Sequence, residues 1–380
     1  MIVHLFEDQK FVDITIENFE SVSKGLNKYI VFSDNKELRH VSRKEQTLIL
    51  PNSSYKLDLD LIYKDCQLLI IHFLSPIKLY VLKNKPPQIK VIWSVWGSDA
   101  YNHFVDQNFF EPLTNNIRRR SLFQHRQSFY LYTLYHLVRY RVKPLRKELK
   151  LLQLVNYVIT VLPYEFNIIK KEFSLIAKYI DYNYGVNKFN SFSNVPLGNS
   201  ILIGNSATSA NNHLDVFDII KDTNKKLIVP LSYGAYDYKN YKELVISEGM
   251  RIFKNSFTPI EEFIPLQDYR ELMSSCNSVI MYHIRQQALG NIFMSLFQGM
   301  RVFLNSKSLT YSYLKDEGMI IFDLKQDYKL IGIELNEEQK RINKEIVLNL
   351  RSREVIKEKT KGIIELYNCL DVEISNNLRE

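Results

Sequence analysis

Short apolar runs, each followed by a stretch with helical spacing, recur along this chain. In the first hundred residues Met1–Phe6, Tyr29–Phe32, Gln67–Phe73 and Val91–Trp96 read as strands, since each is a brief apolar run bounded by polar or turn residues. "YVITVLPYEF" then reads as a strand running into a loop. Helical stretches separate several of these runs, and that alternation predicts parallel βα units. Residues 181–200 break the pattern, being rich in Asn, Ser, Gly and Pro, so the domain boundary is placed there.

Beyond the boundary the unit repeats: the strand "ILIG", a helix over Leu214–Ile220, the strand "KLIVPL", a helix "DYKNYKELVISEG" closed by Gly249, then "MRIF" as a strand. The helix around "DYRELMSS", the strand "SVIMY", the helix in "HIRQQALGNIFMSLFQG" and the strands "RVFL" and "MIIF" complete the series. Six strands alternating with helices predict a doubly wound α/β sheet, in which ligands sit beyond the carboxyl ends of the strands. The expected organisation is a domain over 1–190, a second over 191–345 and a C-terminal helix over 346–380.

Composition agrees with two packed domains. At 380 residues with 46% hydrophobic and 24% charged, the chain exceeds one core and is far from a disordered composition. Three scattered cysteines, Cys66, Cys276 and Cys369, with no CxxC spacing indicate neither a disulfide framework nor a zinc site. No run approaches the roughly 18 apolar residues of a spanning helix, and acids interrupt the first segment where a leader would be apolar. A soluble or peripheral protein is expected.

The net charge of +8 suggests an anionic partner, and its distribution narrows the choice. Residues 115–150 carry Arg118, Arg119, Arg120, Arg139 and Arg141 among interleaved Phe and Tyr, with Glu148 the only acid. A helix basic on one side and aromatic on the other can lie in anionic lipid headgroups, or can pack on its own domain. Nucleic acid is not expected, because no nucleic-acid-binding module motif is present.

Three loops after strands of the second half carry chemistry. "GNSATSANNH", with Gly204, Asn205 and Ser206, has small and hydroxyl residues ahead of a helix whose amides can cradle phosphate, or it is an ordinary capped turn. Ser232, Tyr233 and Gly234 follow "KLIVPL". His283, Arg285, Gln286, Gln287, Gly290 and Asn291 follow "SVIMY". Arg285 can pair with a diphosphate through two hydrogen bonds or form a structural salt bridge, while the glutamines can bond hydroxyls without adding charge. A ligand carrying phosphate and hydroxyls, such as a nucleotide sugar, fits all three loops. No DxD pair follows one of these strands, so no metal and no cofactor is expected.

The first domain offers "VIWSVWGSDAYN", where Asp99 falls just past a strand end beside Trp96, Gly97, Ser98 and Tyr101. A carboxylate there, partly shielded by Trp96, can act as general base towards an acceptor hydroxyl, or it can cap the following helix. His72 at the end of "QLLIIHF" is the reserve candidate for catalysis.

Two facing doubly wound domains with a cleft are the architecture of the GT-B glycosyltransferases. "VIWSVWGSDAY", "ILIGNSATSANNH", "KLIVPLSYG" and "DYRELMSSCNSVIMYHIRQQALGNIFMSLFQGMRVFLN" resemble, in order and spacing, the 4-acetamido-4,6-dideoxygalactose transferases of enterobacterial common antigen synthesis. The resemblance spans roughly residues 65–325 and is most specific at Trp96–Tyr101, at Gly204–Ser206 with Asn211 and His213, and at Arg285–Gln287 with Gly290.

The resemblance implies a dTDP-sugar donor held by the second domain. It also implies an acceptor saccharide on undecaprenyl diphosphate, with Trp96, Gly97, Ser98 and Tyr101 on the acceptor side. The expected location is peripheral, at the cytoplasmic face of the bacterial inner membrane, with the basic aromatic segment docked on anionic lipid. In this architecture a terminal helix braces the N-terminal domain. The chain departs from the pattern at Ala288, where the family has glycine, and at Gln286 and Met294, where many retaining GT-B enzymes have glutamates, leaving a ribose contact to Glu262 or backbone groups. A nucleotide-sugar epimerase and a non-catalytic anionic-surface binder are the alternatives.

Overall fold

A computed structural model describes residues 1–35, 37–53, 56–104, 108–117, 149–185, 198–234 and 240–377. Arg118, Arg119, Arg120, Arg139 and Arg141 lie outside the described residues. The chain divides into two compact units. One comprises Met1–Val105, Arg141–Asn187 and Arg351–Glu380, the other Asp106–Tyr140 and Lys188–Leu350.

The N-terminal unit holds seven parallel strands: β1 (Ile2–Glu7), β2 (Asn27–Phe32), β3 (Thr47–Leu50), β4 (Leu68–His72), β5 (Lys90–Ser94), β6 (Tyr157–Ile159) and β7 (Lys178–Tyr179). Their order is β3-β2-β1-β4-β5-β6-β7, so the winding reverses between β1 and β4. Both faces of the sheet are covered, which is why the strands read as continuous apolar runs. Side chains alternate between two cores: Val3 and Leu5 of β1 pack with Leu69, Ile71 and Trp93, while Ile2 and Phe6 pack with Ile70 and Ile92. The helix Val12–Glu20 buries Val12, Ile16 and Phe19, spaced four and three apart, on that second face. Ile363, Tyr367 and Leu370 of the long helix Arg353–Asn377 join the same core.

The C-terminal unit repeats the plan with β8 (Ser200–Ile203), β9 (Leu227–Pro230), β10 (Phe257–Ile260), β11 (Cys276–Met281), β12 (Arg301–Leu304) and β13 (Phe322–Asp323), all parallel, in the order β10-β9-β8-β11-β12-β13. Here the reversal falls between β8 and β11. Ile203 pairs with Ile280, so the loops leaving these two strands start side by side. Ile201, Ile203, Val229, Ile280 and Phe303 form one core with Val216, Phe217 and Ile220 of the helix His213–Ile220.

Two expectations are corrected. "MRIF" is not a strand: the helix runs unbroken from Tyr241 to Phe253, and the strand is Phe257–Ile260. Gly249 does not end that helix. It lets the helix lie directly on the Phe257 ring, which a Cβ at 249 would overlap. Secondly, residues 108–117 belong with the C-terminal unit rather than with residues 1–190. Glu111, 1% exposed, accepts from Asn305 and Lys307 at Oε1 and from Lys325 at Oε2, and its amide donates to Asn212. Burial pushes the Glu111 carboxyl up, but hydrogen bonds from Asn305, Lys307 and Lys325 outweigh it and hold the group below its ordinary value. Asp215 accepts from the amides of Leu113 and Thr114 and from the Thr114 hydroxyl, securing residues 112–117, which are helical.

Gly249→Ala is expected to destabilise the C-terminal unit by about 1–3 kcal/mol through overpacking, although alanine is the better helix former. Urea denaturation measures this, and adding Phe257→Leu should restore part of the loss. An unchanged midpoint would show that the ring moves aside freely.

Candidate functional site

The C-terminal site is assembled where the loops after β8 and β11 diverge. Gly204 opens the first loop with φ +68°, and a Cβ there would lie 2.7 Å from Asn211 Oδ1 and 2.8 Å from His213 Nε2. Only glycine permits both the backbone angle and the approach. Asn211, 1% exposed, ends a short 3₁₀ turn, Ser209–Asn211. Its Nδ2 donates to the carbonyls of Ser206 (2.9 Å) and Thr208 (3.1 Å) and to both hydroxyls. Its Oδ1 accepts from the Asn205 amide at 3.0 Å and meets His283 Nε2 at 2.8 Å. An amide oxygen only accepts, so His283 carries its proton on Nε2 and Nδ1 is a bare acceptor.

The second and third loops lock onto the first. Gln287 Nε2 donates to Asn205 Oδ1 at 3.0 Å and Thr208 Oγ1 at 3.2 Å, and Asn205 Nδ2 donates to the Tyr233 hydroxyl at 3.0 Å. The Ala207 amide donates to the Tyr233 carbonyl, and Gly234, at φ +87°, presses against Thr208. The Tyr233 ring remains 54% exposed. Asn205, Ser206, Tyr233, Gly234, His283 and Gln287 are thus brought together, with Ser232 half-buried beside them.

Arg285 is half-buried, and its charge is one of the causes, after burial, that hold His283 well below the ordinary imidazole range. Asn291 is drawn off to the Tyr269 hydroxyl at 3.0 Å. Gly290 is exposed, and a Cβ there meets no atom within 4 Å, so packing does not demand glycine at that position. Glu262 is exposed in the loop after β10.

Among the described residues, four buried side-chain atoms in this cluster have no hydrogen-bond partner: His213 Nε2, His283 Nδ1, Gln286 Oε1 and Gln287 Oε1. Buried polar atoms are rarely left unpaired, so four together call for a partner that the protein itself does not supply, water or a ligand. Residue-type reasoning missed Asn211, Thr208 and His213 as site builders. The short Asn-x-His spacing after "GNS" was their only signal, because Asn211 works through contacts within its own loop and to His283 of the loop after β11.

The candidates of the N-terminal unit are placed differently. Asp99 is 3% exposed, and all its bonds are internal: Leu74 N (2.9 Å) and Trp93 Nε1 (3.1 Å) donate to Oδ2, Trp96 N (3.0 Å) to Oδ1. Burial raises its pKa while these bonds lower it. It brackets the turn between β5 and the helix Ser98–Tyr101, in which Gly97 takes φ +110°, rather than facing an acceptor. Tyr101 donates to Glu165 Oε1 at 2.7 Å inside the core.

His72, 1% exposed, is engaged at both nitrogens, Nδ1 to the Tyr184 hydroxyl (2.7 Å) and Nε2 to His4 Nδ1 (3.1 Å). Asn27 Oδ1 lies 3.4 Å from His4 Nε2, and Trp96 Nε1 donates to the Tyr184 oxygen at 2.7 Å. Those two ends set one direction for every proton: Tyr184 to His72, His72 to His4, His4 to Asn27. His72 is therefore a link in a neutral network, not a free base. Trp96 stays half-buried, with Phe11 and Tyr184 edge-on at 4.8 and 5.7 Å.

Comparison with known proteins bears on the class and fold of the chain. Residues 186–347 match the family model described as 4-alpha-L-fucosyltransferase, glycosyl transferase group 56. Among solved structures, a glycosyltransferase from Rickettsia africae ESF-5 is similar at TM-score 0.62 and 14% identity, covering 97% of this chain and 98% of that one. HepE of Anabaena in complex with UDP reaches 0.63 at 10% identity, covering 96% and 100%. Sucrose-phosphate synthase from Thermosynechococcus elongatus reaches 0.62 at 10% identity, covering 98% and 100%. These likenesses establish the fold as that of the GT-B glycosyltransferases. With the family match over its C-terminal unit, the chain is a glycosyltransferase.

Ala288 adopts φ +58°, the left-handed region, just before the helix Leu289–Phe297. Ala288→Gly should therefore stabilise the protein by up to about 1 kcal/mol, measured as a raised melting temperature; a lowered one would show that the loop is not strained. Burial holds His4 and His213 down to about 3, and His72 and His283 well below 6.5. Above pH 6.5 all four are neutral whether folded or not. Below it the unfolded chain takes up protons that the folded chain refuses, so stability should fall by up to about 1.4 kcal/mol per pH unit for each histidine. Melting temperatures from pH 8 to 5 test this, and a flat profile would contradict it.

Proposed function

We propose that the chain transfers a deoxyamino hexose, of the 4-acetamido-4,6-dideoxygalactose kind, from a dTDP-sugar to a saccharide carried on undecaprenyl diphosphate. The reaction would serve bacterial surface polysaccharide synthesis at the cytoplasmic face of the inner membrane. The donor would lie at the β8–β11 switch point, against Gly204, Asn205, Ser206, Ser232, Tyr233, Gly234, His283, Arg285, Gln286 and Gln287.

The observation that carries this reading is the set of unpartnered buried atoms. His283 Nδ1, Gln286 Oε1 and Gln287 Oε1 are acceptors. They call for a ligand with several O–H or N–H groups, as a sugar or an acylated amino sugar has. Phosphate needs the opposite chemistry, which the Arg285 guanidinium supplies together with the first amides of the nine-residue helix Leu289–Phe297, uncapped by any side chain. Both kinds of group come from one short segment, 283–291. An exposed Tyr233 ring beside them offers a face for a base or sugar.

In such a site the arginine and helix amides would stabilise the negative charge that grows on the departing diphosphate. HepE of Anabaena, structurally similar, is a UDP complex. UDP is therefore the natural competitor to dTDP. Among the described residues no helix is long and apolar enough to cross a membrane, so the membrane association belongs to this proposal as a peripheral one.

Titration calorimetry with dTDP, UDP and GDP tests the donor site. We expect dTDP to bind most tightly and Arg285→Ala to weaken it by about 1.5–3 kcal/mol. Tighter UDP binding would replace the dTDP assignment, and no binding of any nucleotide would return these loops to a structural role.

A further inference from the structure

Among the described residues of the N-terminal unit, Ile176 is the most exposed large apolar side chain, at 83%. Leu154, 40% exposed, sits on a neighbouring segment. Gln153, beside Leu154, donates through Nε2 to the carbonyls of Phe173 (2.9 Å) and Ser174 (3.0 Å), two residues short of Ile176. Apolar residues scattered singly over a surface are ordinary. Two on adjoining segments gain meaning from what surrounds them.

Four lysines belong to the same segments. Lys150 lies in the 3₁₀ turns Leu149–Leu154, Lys170 and Lys171 in the last turn of the helix Glu165–Glu172, and Lys178 in β7; all four are exposed. The helix end is tied to the Ile176 loop, since the Ser174 amide donates to the Lys171 carbonyl and the Leu175 amide to that of Lys170. The Lys178 amide donates to the carbonyl of Asn156, two residues past Leu154. Residues 149–179 hold only two acids. Glu165 is buried, taken up by the Tyr101 hydroxyl and the Leu162 amide, and Glu172 is half-buried. The exposed charge is therefore almost wholly positive.

Between the two segments opens a cavity of about 320 Å³, with Leu149 and Phe173 in its walls and His103, Lys150, Gln153, Glu172 and Ser174 as its polar groups. That is the size of a small-ligand site. The patch lies ahead of β6 and β7, at their amino ends. The sheet is parallel, so the loops that follow its strands are at the other end.

Bare apolar side chains among lysines complement an anionic lipid surface, where ammonium groups meet phosphates and apolar groups sink to the acyl boundary. The long lysine stem lets one residue do both. An acidic protein is the poorer match, because protein interfaces favour arginine and shed lysine, and residues 149–179 contain no arginine.

We propose that this face of the N-terminal unit docks the chain on an anionic phospholipid bilayer. Leu154 and Ile176 insert below the headgroups, Lys150, Lys170, Lys171 and Lys178 meet lipid phosphates, and one headgroup enters the recess beside Lys150. The inference deepens the peripheral-membrane part of the proposed function and rests on it.

Co-sedimentation of the full chain with vesicles tests the surface, using phosphatidylcholine alone and equal parts phosphatidylcholine and phosphatidylglycerol. Binding is expected only where phosphatidylglycerol is present, and it should weaken as salt rises. Lys170→Glu with Lys171→Glu should weaken it about 20-fold or more, each lysine near an anionic surface being worth about fivefold. Ile176→Ser should weaken it several-fold. Lys315→Glu with Lys329→Glu, which changes the net charge equally at exposed positions of the C-terminal unit, should leave it nearly unchanged. Binding that survives both patch variants, or that equals itself on phosphatidylcholine alone, would overturn this surface.

Ile176→Trp adds a reporter to Trp93, which is buried, and Trp96, which is half-buried. Its emission should shift to the blue on phosphatidylglycerol vesicles and be quenched by lipids brominated in their acyl chains. The same shift with glycerol phosphate in solution, or with polyglutamate, would replace the bilayer by a free phosphate or an acidic polypeptide and overturn the proposal.

Titration with dTDP and UDP in parallel separates the two readings, and nucleotide binding should be unchanged in every patch variant. Nucleotide binding without vesicle binding would overturn the docking surface and leave the donor site intact. Vesicle binding that the patch variants abolish, with no nucleotide bound, would sustain the surface and remove the transferase reading.

Discussion

One buried amide holds the C-terminal site in shape. At a reversal of strand order two loops leave neighbouring parallel strands for opposite faces of the sheet, and the ladder of backbone bonds does nothing to tie them together. Asn211 does so by using all four hydrogen-bonding positions of its side chain: two N–H groups on the Ser206–Thr208 turn, two lone pairs for the Asn205 amide and His283. Leaving one of these unmade in a buried place costs about 1–3 kcal/mol, so the loops move together or not at all. The same oxygen that holds His283 dictates which ring nitrogen is bare. The chemistry shown to a ligand therefore follows from a packing constraint.

The N-terminal unit uses histidine to the opposite end. Its chain runs from Trp96 through Tyr184, His72 and His4 to Asn27, and each group finds a partner. Ser94 adds a further bond to the Tyr184 hydroxyl. A fully paired network in a dry interior is rigid and keeps its imidazoles neutral, since burial penalises the charged form of each. It holds the indole of Trp96 through its Nε1, and that residue stays half-buried. In the C-terminal unit the imidazoles are equally buried but each retains an open nitrogen. Burial alone thus says little about role; the completeness of the hydrogen bonding separates scaffold from binding surface.

Charge is handled by the same logic. Glu111 sits under Lys307 and Lys325 with Asn305 sharing its oxygen, and this fully satisfied carboxylate fastens a segment from the first third of the chain onto the C-terminal unit. Asp215 fastens the next turn through backbone amides. Where a carboxylate has such partners it is structural, whatever its sequence context suggests. Asp99 belongs to that group.

Much of the architecture was legible in the amino-acid sequence. The alternation of buried strands with amphipathic helices, the small-residue loops at Gly204 and Gly234 and the cation with two amides at 285–287 are all local patterns, and local periodicity follows from backbone geometry that each segment carries with it. Even there the tertiary structure intervened: "MRIF" has the composition of a strand, but Gly249 let the helix run on across Phe257. What the tertiary structure alone decided was which polar atoms are satisfied. Asp99 looked reactive because it follows a strand, yet its three donors come from Leu74, Trp93 and Trp96. His72 looked available until Tyr184, 112 residues away, and His4 occupied its ring. Hydrogen-bond satisfaction is a sum over neighbours brought together from distant segments, so no single stretch of chain contains it, whereas the period of a strand or helix is written within a few residues.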